Sequence, residues 1–303
     1  MHRYGFIAHL FAATVTIAVF LSSTANAGYP YDISLVGLGR PDVDPYAQGR
    51  FRALCNELAI ALAPRPLQPA ETLGVSGFEF SLSNSLTSVS NKSDYWRAMY
   101  GPVINAPMRD RTILEQLWTP TLHIRKGLPF STEFGVQASY LAFTELYMLG
   151  AEFKAALHES YIPQLPALAA RVAGARLLGA SQISMFSLEA DLMASYAFSV
   201  GGMSEITPYI GYGQLRVNAE SSKIDATPYS VSDPNDQQGG SNGSLYSFEQ
   251  VRWQKNWTTR YFGGLRINAS TIEVLYEFSF STMTFRKYDK QIISNSIKIG
   301  FDV

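Results

Sequence analysis

The stretch Ser184-Met185-Phe186-Ser187-Leu188-Glu189-Ala190-Asp191-Leu192-Met193-Ala194-Ser195-Tyr196-Ala197-Phe198 splits into two rows when alternate residues are taken together. One row reads Phe186, Leu188, Ala190, Leu192, Ala194, Tyr196, Phe198, and the other reads Ser187, Glu189, Asp191, Met193, Ser195. Side chains along a β-strand point to alternate faces, so a strand here divides an apolar wall from an acidic one. A soluble sheet turns such an apolar face to its core, whereas a membrane barrel turns it to lipid and keeps the polar face for the lumen. One strand does not distinguish the two; several strands do.

The split recurs at 147–158, where Tyr147, Leu149, Ala151, Phe153, Ala155 and Leu157 alternate with Met148, Gly150, Glu152, Lys154, Ala156 and His158. It recurs at 271–281, with Ile272, Val274, Tyr276, Phe278 and Phe280 opposing Glu273, Leu275, Glu277 and Ser279. The end of the chain repeats it: Ile297, Ile299, Phe301 and Val303 oppose Lys298, Gly300 and Asp302. Weaker alternation lies at about 74–87, 111–124, 131–143, 167–178, 205–219 and 257–268. The expectation is an all-β, antiparallel up-and-down transmembrane barrel over 73–303, with ten strands; the very short turn near Thr144 leaves eight or twelve open. With the first strand running outward, the long connections 88–110 and 220–256 fall on one side and the short ones at 125–130, 199–204 and 268–270 on the other. That is the outside-long, periplasm-short asymmetry of outer-membrane barrels.

Composition agrees. Residues 1–27 read as a signal peptide: His2 and Arg3 precede an apolar run from Phe6 to Leu21, and Ala25-Asn26-Ala27 supplies a small-x-small cleavage pattern near Ala27. Without Arg3 the 24 basic residues fall to 23 against 25 acidic, a formal charge of −2 that gives nucleic acid nothing to bind. After the signal no apolar run reaches the ~20 residues of a spanning helix, so strands must do any crossing. The single cysteine, Cys55, excludes an intramolecular disulfide.

Residues 28–72 differ in character. Asp44 is placed to cap a helix over about 45–63, with Pro45 at its first position and Ala47, Phe51, Leu54, Cys55, Leu58 and Leu62 on one face; Pro64, Pro66 and Pro69 end it. An amphipathic helix ahead of the barrel is expected to pack under or into the periplasmic mouth, with Cys55 a small packed residue.

The terminal Ser-Ile-Lys-Ile-Gly-Phe-Asp-Val (296–303) resembles the signal strand by which the barrel-assembly machinery recognises outer-membrane barrels, although those more often finish on the aromatic itself. Pro69-Ala70-Glu71-Thr72-Leu73-Gly74, leading into Gly77-Phe78-Glu79-Phe80, and the later run Pro166–Leu192 resemble a group of uncharacterised outer-membrane barrels of myxobacteria and their relatives. The resemblance implies the fold, residence in outer-membrane lipid, and biogenesis through that machinery. It implies no substrate.

No catalytic set converges, and a non-enzyme without cofactor or metal is expected. Gly239-Gly240-Ser241-Asn242-Gly243 matches G-x-S-x-G but lacks the strand before it and the helix after it. Outer-membrane aspartyl proteases carry Asp-x-His, which is absent here; His123 and His158 have no evident third metal ligand. Asp233, Asn235 and Asp236 lie in the low-complexity polar loop 232–244, without the glycine and bidentate glutamate of a calcium loop.

The informative constellation is the lumen. Phase assignment points Glu79, Glu115, Glu133, Glu152, Glu189, Asp191, Glu273, Glu277 and Asp302 inward with Lys154, Arg216, Arg260, Arg266 and Lys298. Such charges either pair and fill a narrow barrel or line a hydrated path with an acidic excess. Two functions follow. One is a narrow pore for small solutes or ions, gated by the N-terminal helix. The other is a closed barrel serving as a surface platform through 88–110 and 220–256, with Tyr95, Trp96, Tyr100 and Trp253 as contact candidates and Trp257 in the aromatic girdle.

Overall fold

The computed structural model describes residues 33–99, 115–159, 165–200, 204–225, 245–254, 256–283 and 290–302. Residues 1–27, read above as a signal peptide, Tyr100 and the 232–244 stretch with its G-x-S-x-G and Asp233, Asn235, Asp236 fall outside them.

Ten strands form the wall: β1 Phe78–Ser88, β2 Gln116–Leu128, β3 Thr132–Tyr140, β4 Tyr147–His158, β5 Ala167–Leu178, β6 Ile183–Ser195, β7 Ser204–Ser221, β8 Trp257–Ala269, β9 Ile272–Met283 and β10 Lys290–Asp302. Each pairs antiparallel with the next, and β10 returns to β1, with Glu79 opposite Asp302 and Thr87 opposite Ser294. The chain is therefore the ten-stranded up-and-down barrel expected of it. Closure leaves no unpaired strand edge around the wall.

Strict in–out alternation runs along β6, where Glu189 and Asp191 are sealed inside while Leu188 and Leu192 are 36% and 59% exposed. Val136, Leu149, Phe153, Val172, Ile210, Val274, Phe278 and Ile297 share that outer face. A continuous apolar belt of this kind is unfavourable in water and matches a bilayer interior. No helix among the described residues is long and apolar enough to cross a membrane.

The N-terminal segment departs from expectation in place and in pattern. Helix α1 spans Ala47–Leu62, two residues later than its Asp-Pro start suggests, because Asp44 Oδ1 accepts the Tyr46 amide and so caps the turn before it. Beyond Arg52 every residue of α1 is buried, on all faces. A helix with the sequence Ala53-Leu54-Cys55-Asn56-Glu57-Leu58-Ala59-Ile60-Ala61-Leu62 is apolar nearly all round, which fits an enclosed position.

That position is the lumen, at the end where the longer connections lie and opposite to the end where β1 begins and β10 finishes. Ala61 O accepts from Thr119, at the upper end of β2, and Gln48 exchanges hydrogen bonds with Glu249 in the β7–β8 connection. Phe51 stacks on Phe248 with ring centroids 4.7 Å apart. The expected seat at the periplasmic mouth is thus corrected to the opposite mouth. Inward residues of this half are of two kinds: Met148, Leu177, Met185, Leu215, Val217, Met283 and Ile292 share one apolar core with α1, while Ser83, Ser85, Thr87, Thr119, Ser139, Ala175, Ser279, Ser281, Ser294 and Ser296 are small. The size of the small set frees the ~10–12 Å that a helix with side chains occupies.

Candidate functional site

Pro64 ends α1 by removing an amide donor, and the chain continues without regular structure, turning at Leu67, through the other half of the lumen to Leu73, five residues before β1. Its backbone groups must find partners away from water. The carbonyl of Pro66 accepts from Arg125 Nη2 at 2.6 Å, Leu67 from Arg125 Nη1 at 3.4 Å, Pro64 from Arg260 at 3.4 Å and Glu71 from Lys154 at 2.8 Å. The amide of Leu67 donates to Glu277 at 3.2 Å, Ala70 to Ser195 at 3.1 Å, Thr72 to Glu159 at 2.6 Å and Leu73 to Glu133 at 3.3 Å. Wall cations hold the carbonyls and mostly wall carboxylates hold the amides, so the segment lies in the lumen as a bound peptide would.

The same wall groups bind one another. Going round the barrel, Glu273 of β9 meets Lys298 of β10, which reaches Glu79 of β1 at 2.9 Å; Glu79 meets Arg125 of β2 at 3.3 Å, and Arg125 meets Glu152 of β4 at 2.7 Å. Glu152 then meets Arg171 of β5 at 2.7 Å, Arg171 meets Asp191 of β6, and Glu189 on that strand meets Arg260 of β8 at 2.8 Å. Glu133 of β3 joins through Arg125 at 3.9 Å and carries Lys154 of β4 at 3.3 Å. Signs alternate around nearly the whole circumference. Gly213 on β7 leaves a gap that the ring needs, since a Cβ there would sit 2.0 Å from Asp191 Oδ1.

Above the ring, Arg65 donates to the hydroxyls of Thr87, Ser294 and Ser296. Beside it a polar cavity of about 10 Å³, lined by Arg65, Thr121, His123, Gln137 and Ser139 among others, has room for about one water. Glu79, Glu273 and Asp302 bring carboxylate oxygens within 4.8 Å of one another, but the Lys298 ammonium already bonds Glu79 and Glu273 and supplies the cation there. Cys55 is enclosed in α1, and burial pushes its thiol up, away from the reactive thiolate.

Of the residues assigned inward from sequence, Glu79, Glu133, Glu152, Lys154, Glu189, Asp191, Arg260, Glu273, Glu277 and Lys298 are buried in the lumen. Arg266 and Asp302 stand half-buried at the short-turn rim, where Arg266 pairs with Glu71 and Glu205. Two assignments are corrected. Glu115 lies just before β2 and is exposed. Arg216 faces outward, its guanidinium 5.1 Å from the Trp257 ring centre, because the long β7 keeps its buried row on Leu215 and Val217.

Arg65, Arg125 and Arg171 were not anticipated in the lumen. Running the Thr119, Thr121, His123 row two residues further reaches Arg125, and the Ala167, Ala169, Ala173, Ala175 row contains Arg171; both periodicities carry the signal. Arg65, between prolines, has no such pattern.

The contact candidates divide. Tyr95 and Trp96 are fully buried, a correction: Trp96 Nε1 donates to Glu57 Oε2 at 2.8 Å, and burial together with the Glu57 carboxylate pushes the Tyr95 phenol up. Trp253 is 40% exposed and edge-on to Phe186, and Trp257 is 54% exposed on the outer wall.

Glu159, in the turn after β4, holds the lower end of the plug. Its burial raises the carboxyl, but the hydrogen bonds from the Thr72 hydroxyl and amide lower it more, so the net position is below the ordinary 4.5. A depressed carboxylate contributes stability above its unfolded value and loses it as pH falls through the folded one. Denaturation midpoints should therefore drop as pH falls from about 5 towards 3, and Glu159→Gln should flatten part of that slope. An unchanged slope in the variant would remove Glu159 from the tether.

No protein-family model and no curated protein matches the sequence. Solved outer-membrane barrels align with it. Ail, the attachment invasion locus protein of Yersinia pestis, is 9% identical over 75% of this chain and 99% of its own, with a TM-score of 0.30. The N-terminal barrel domain of Pseudomonas aeruginosa OprF is 9% identical over 76% and 99%, at 0.29. LpxR from Salmonella typhimurium is 13% identical over 72% and 99%, at 0.32.

Proposed function

We propose that this chain is a closed outer-membrane barrel, sealed by its own residues 47–73, whose working surface is the mouth where residues 33–62 meet the long connections. The observation that carries this reading is the occupied lumen, in which the plug's backbone groups are bound by Arg125, Lys154, Arg260, Glu133 and Glu277. A passage open at all times needs that space. At the sealed mouth, Arg50 ties α1 to Asp44 and Asp94, and Leu35 N donates to Gln182 in the β5–β6 turn, so several segments form one rigid cap. Such a cap suits recognition of a surface partner.

The test is side-specific labelling. Val43 is 75% exposed at the capped mouth and Phe130 is 95% exposed in the β2–β3 turn at the other end. With Cys55 enclosed, a membrane-impermeant maleimide should label Val43→Cys on intact cells and Phe130→Cys only after the outer membrane is opened. Labelling of Phe130→Cys alone on intact cells would invert the barrel and overturn the reading.

A further inference from the structure

Among the described strand residues, the outward row of the wall carries bases in three places: Lys126 near the short-turn end, and Arg176 and Arg216 in the half next to the capped mouth. Lys126 is satisfied by the carbonyls of Val75, Ser76 and Gly77. Neither Arg176 nor Arg216 is in an ion pair with any described residue. An unpaired guanidinium on the lipid face of a barrel is costly at mid-bilayer and tolerated at the headgroup level.

The two sit on either side of β6. Arg176 pairs in register with Phe186 and Arg216 with Leu188, so from strand spacing and rise their Cα atoms are about 12 Å apart. Two arginine side chains span that interval easily. Between them lies an apolar floor of Phe186 and Leu188, and Trp257 lies under the Arg216 guanidinium. Trp253 closes the upper side, its ring 6.0 Å from that of Phe186 and at 86° to it.

The level on the wall is fixed by the outward row of β7, which reads Ile210, Tyr212, then Gln214, Arg216, Asn218. Tyr212 faces Tyr261 of β8 with ring centres 5.4 Å apart, and two outward positions further up Arg216 stands opposite Trp257 where the row has turned polar, the mixed aromatic and polar setting of an interface. Headgroup phosphates lie at that depth. From this geometry we infer that Arg176 and Arg216 form a binding site for a phosphate-bearing lipid of the adjoining leaflet, with its acyl chains along Phe186, Leu188 and Leu192. Guanidinium and phosphate match in charge and in planar hydrogen-bonding geometry, and the apolar floor selects a lipid over a free anion.

Native mass spectrometry of the full-length protein, released from neutral detergent, tests the site with phosphatidic acid, diacylglycerol and inorganic phosphate. Phosphatidic acid should bind about 10- to 30-fold more tightly than diacylglycerol. Arg176→Gln with Arg216→Gln should abolish that preference, and the Arg→Lys pair should keep much of it. Both positions face outward, so heat-dependent gel mobility should report a folded barrel in each variant. Raising salt on the wild-type protein gives a second measurement needing no variant, and the preference should fall with it. A preference that persists in the Gln pair, equal binding of the two lipids, insensitivity to salt, or displacement by millimolar inorganic phosphate would each overturn the inference.

Discussion

Refolded into a planar bilayer, the full-length chain passes no steady ion current, and a variant lacking residues 33–72 opens in discrete steps. The first half follows from the enclosed α1 and the segment after it, whose backbone groups are bound to the wall across the lumen, with the cavity beside Arg65 holding about one water. The second follows from the wall. All ten strands pair without help from the plug, and closure of β10 on β1 involves residues 79–87 and 294–302 alone. Removing α1 vacates a column ~10–12 Å across in a half lined by Ser and Thr together with apolar side chains such as Met148, Met185, Leu215 and Ile292. In the lower half the buried wall keeps seven acids, Glu79, Glu133, Glu152, Glu189, Asp191, Glu273 and Glu277, against five bases, Arg125, Lys154, Arg171, Arg260 and Lys298, once Arg65 has gone. The opened path should therefore favour cations, read as a shifted reversal potential in a salt gradient. Steady current through the full-length protein would defeat the sealed reading. Silence from a deletion variant that keeps its strand circular dichroism and its heat-dependent gel mobility would mean that the wall collapses on itself, and that α1 is filler rather than a stopper.

The wall was legible because two-residue alternation survives at every depth of a barrel: Phe186 through Ala194 outside and Ser187 through Ser195 inside needed only the sequence. Errors arose where periodicity stops informing. Arg216 sits on a strand of eighteen residues whose upper part leaves the apolar belt, so its outward row turns polar and the phase inverts in appearance. Tyr95 and Trp96 lie in a short 3-10 helix, Asp94–Met99, whose burial depends on a carboxylate from α1, a contact no local pattern encodes. The plug's location was hidden for a different reason. An all-apolar helix reads equally well against any cover, and what draws residues 63–73 through the ring is the match of exposed carbonyls around three prolines with cations from three separate strands. From sequence, Lys154 and Arg260 were placed in the lumen and Arg125 was missed, and no local pattern shows that these cations meet the carbonyls.

The largest loss of stability should come from Arg125. It carries Glu152 at 2.7 Å, Glu79 at 3.3 Å and the plug carbonyls of Pro66 and Leu67, with its side chain wholly enclosed. Buried ion pairs contribute little net stability compared with an apolar replacement of the whole set, but removing one partner leaves the other charged and unsolvated, at a cost of about 3–5 kcal/mol. Arg125→Met retains the chain length of the stem and removes only the guanidinium, so the expected loss lies in that range, a factor of about 10² to 10⁴ in the unfolding equilibrium. Urea unfolding followed by tryptophan fluorescence in the same lipid or detergent gives the number. Arg176→Met, in neutral detergent free of phospholipid, supplies the reference, since that side chain faces outward with no ion pair to a described residue and should there change stability by less than about 1 kcal/mol. The cause is separable from lost packing by adding Glu152→Gln. In Arg125→Met, Glu152 keeps only one of its two guanidinium partners, Arg171; with that under-compensated charge removed, the double variant should be less destabilised than Arg125→Met, while Arg171 keeps Asp191 as its partner. If the two changes simply add, Glu152 is not the charge that Arg125 compensates. If Arg125→Met matches Arg176→Met, the ring of alternating charge is incidental to the fold, and the plug is held by the shape of the lumen instead.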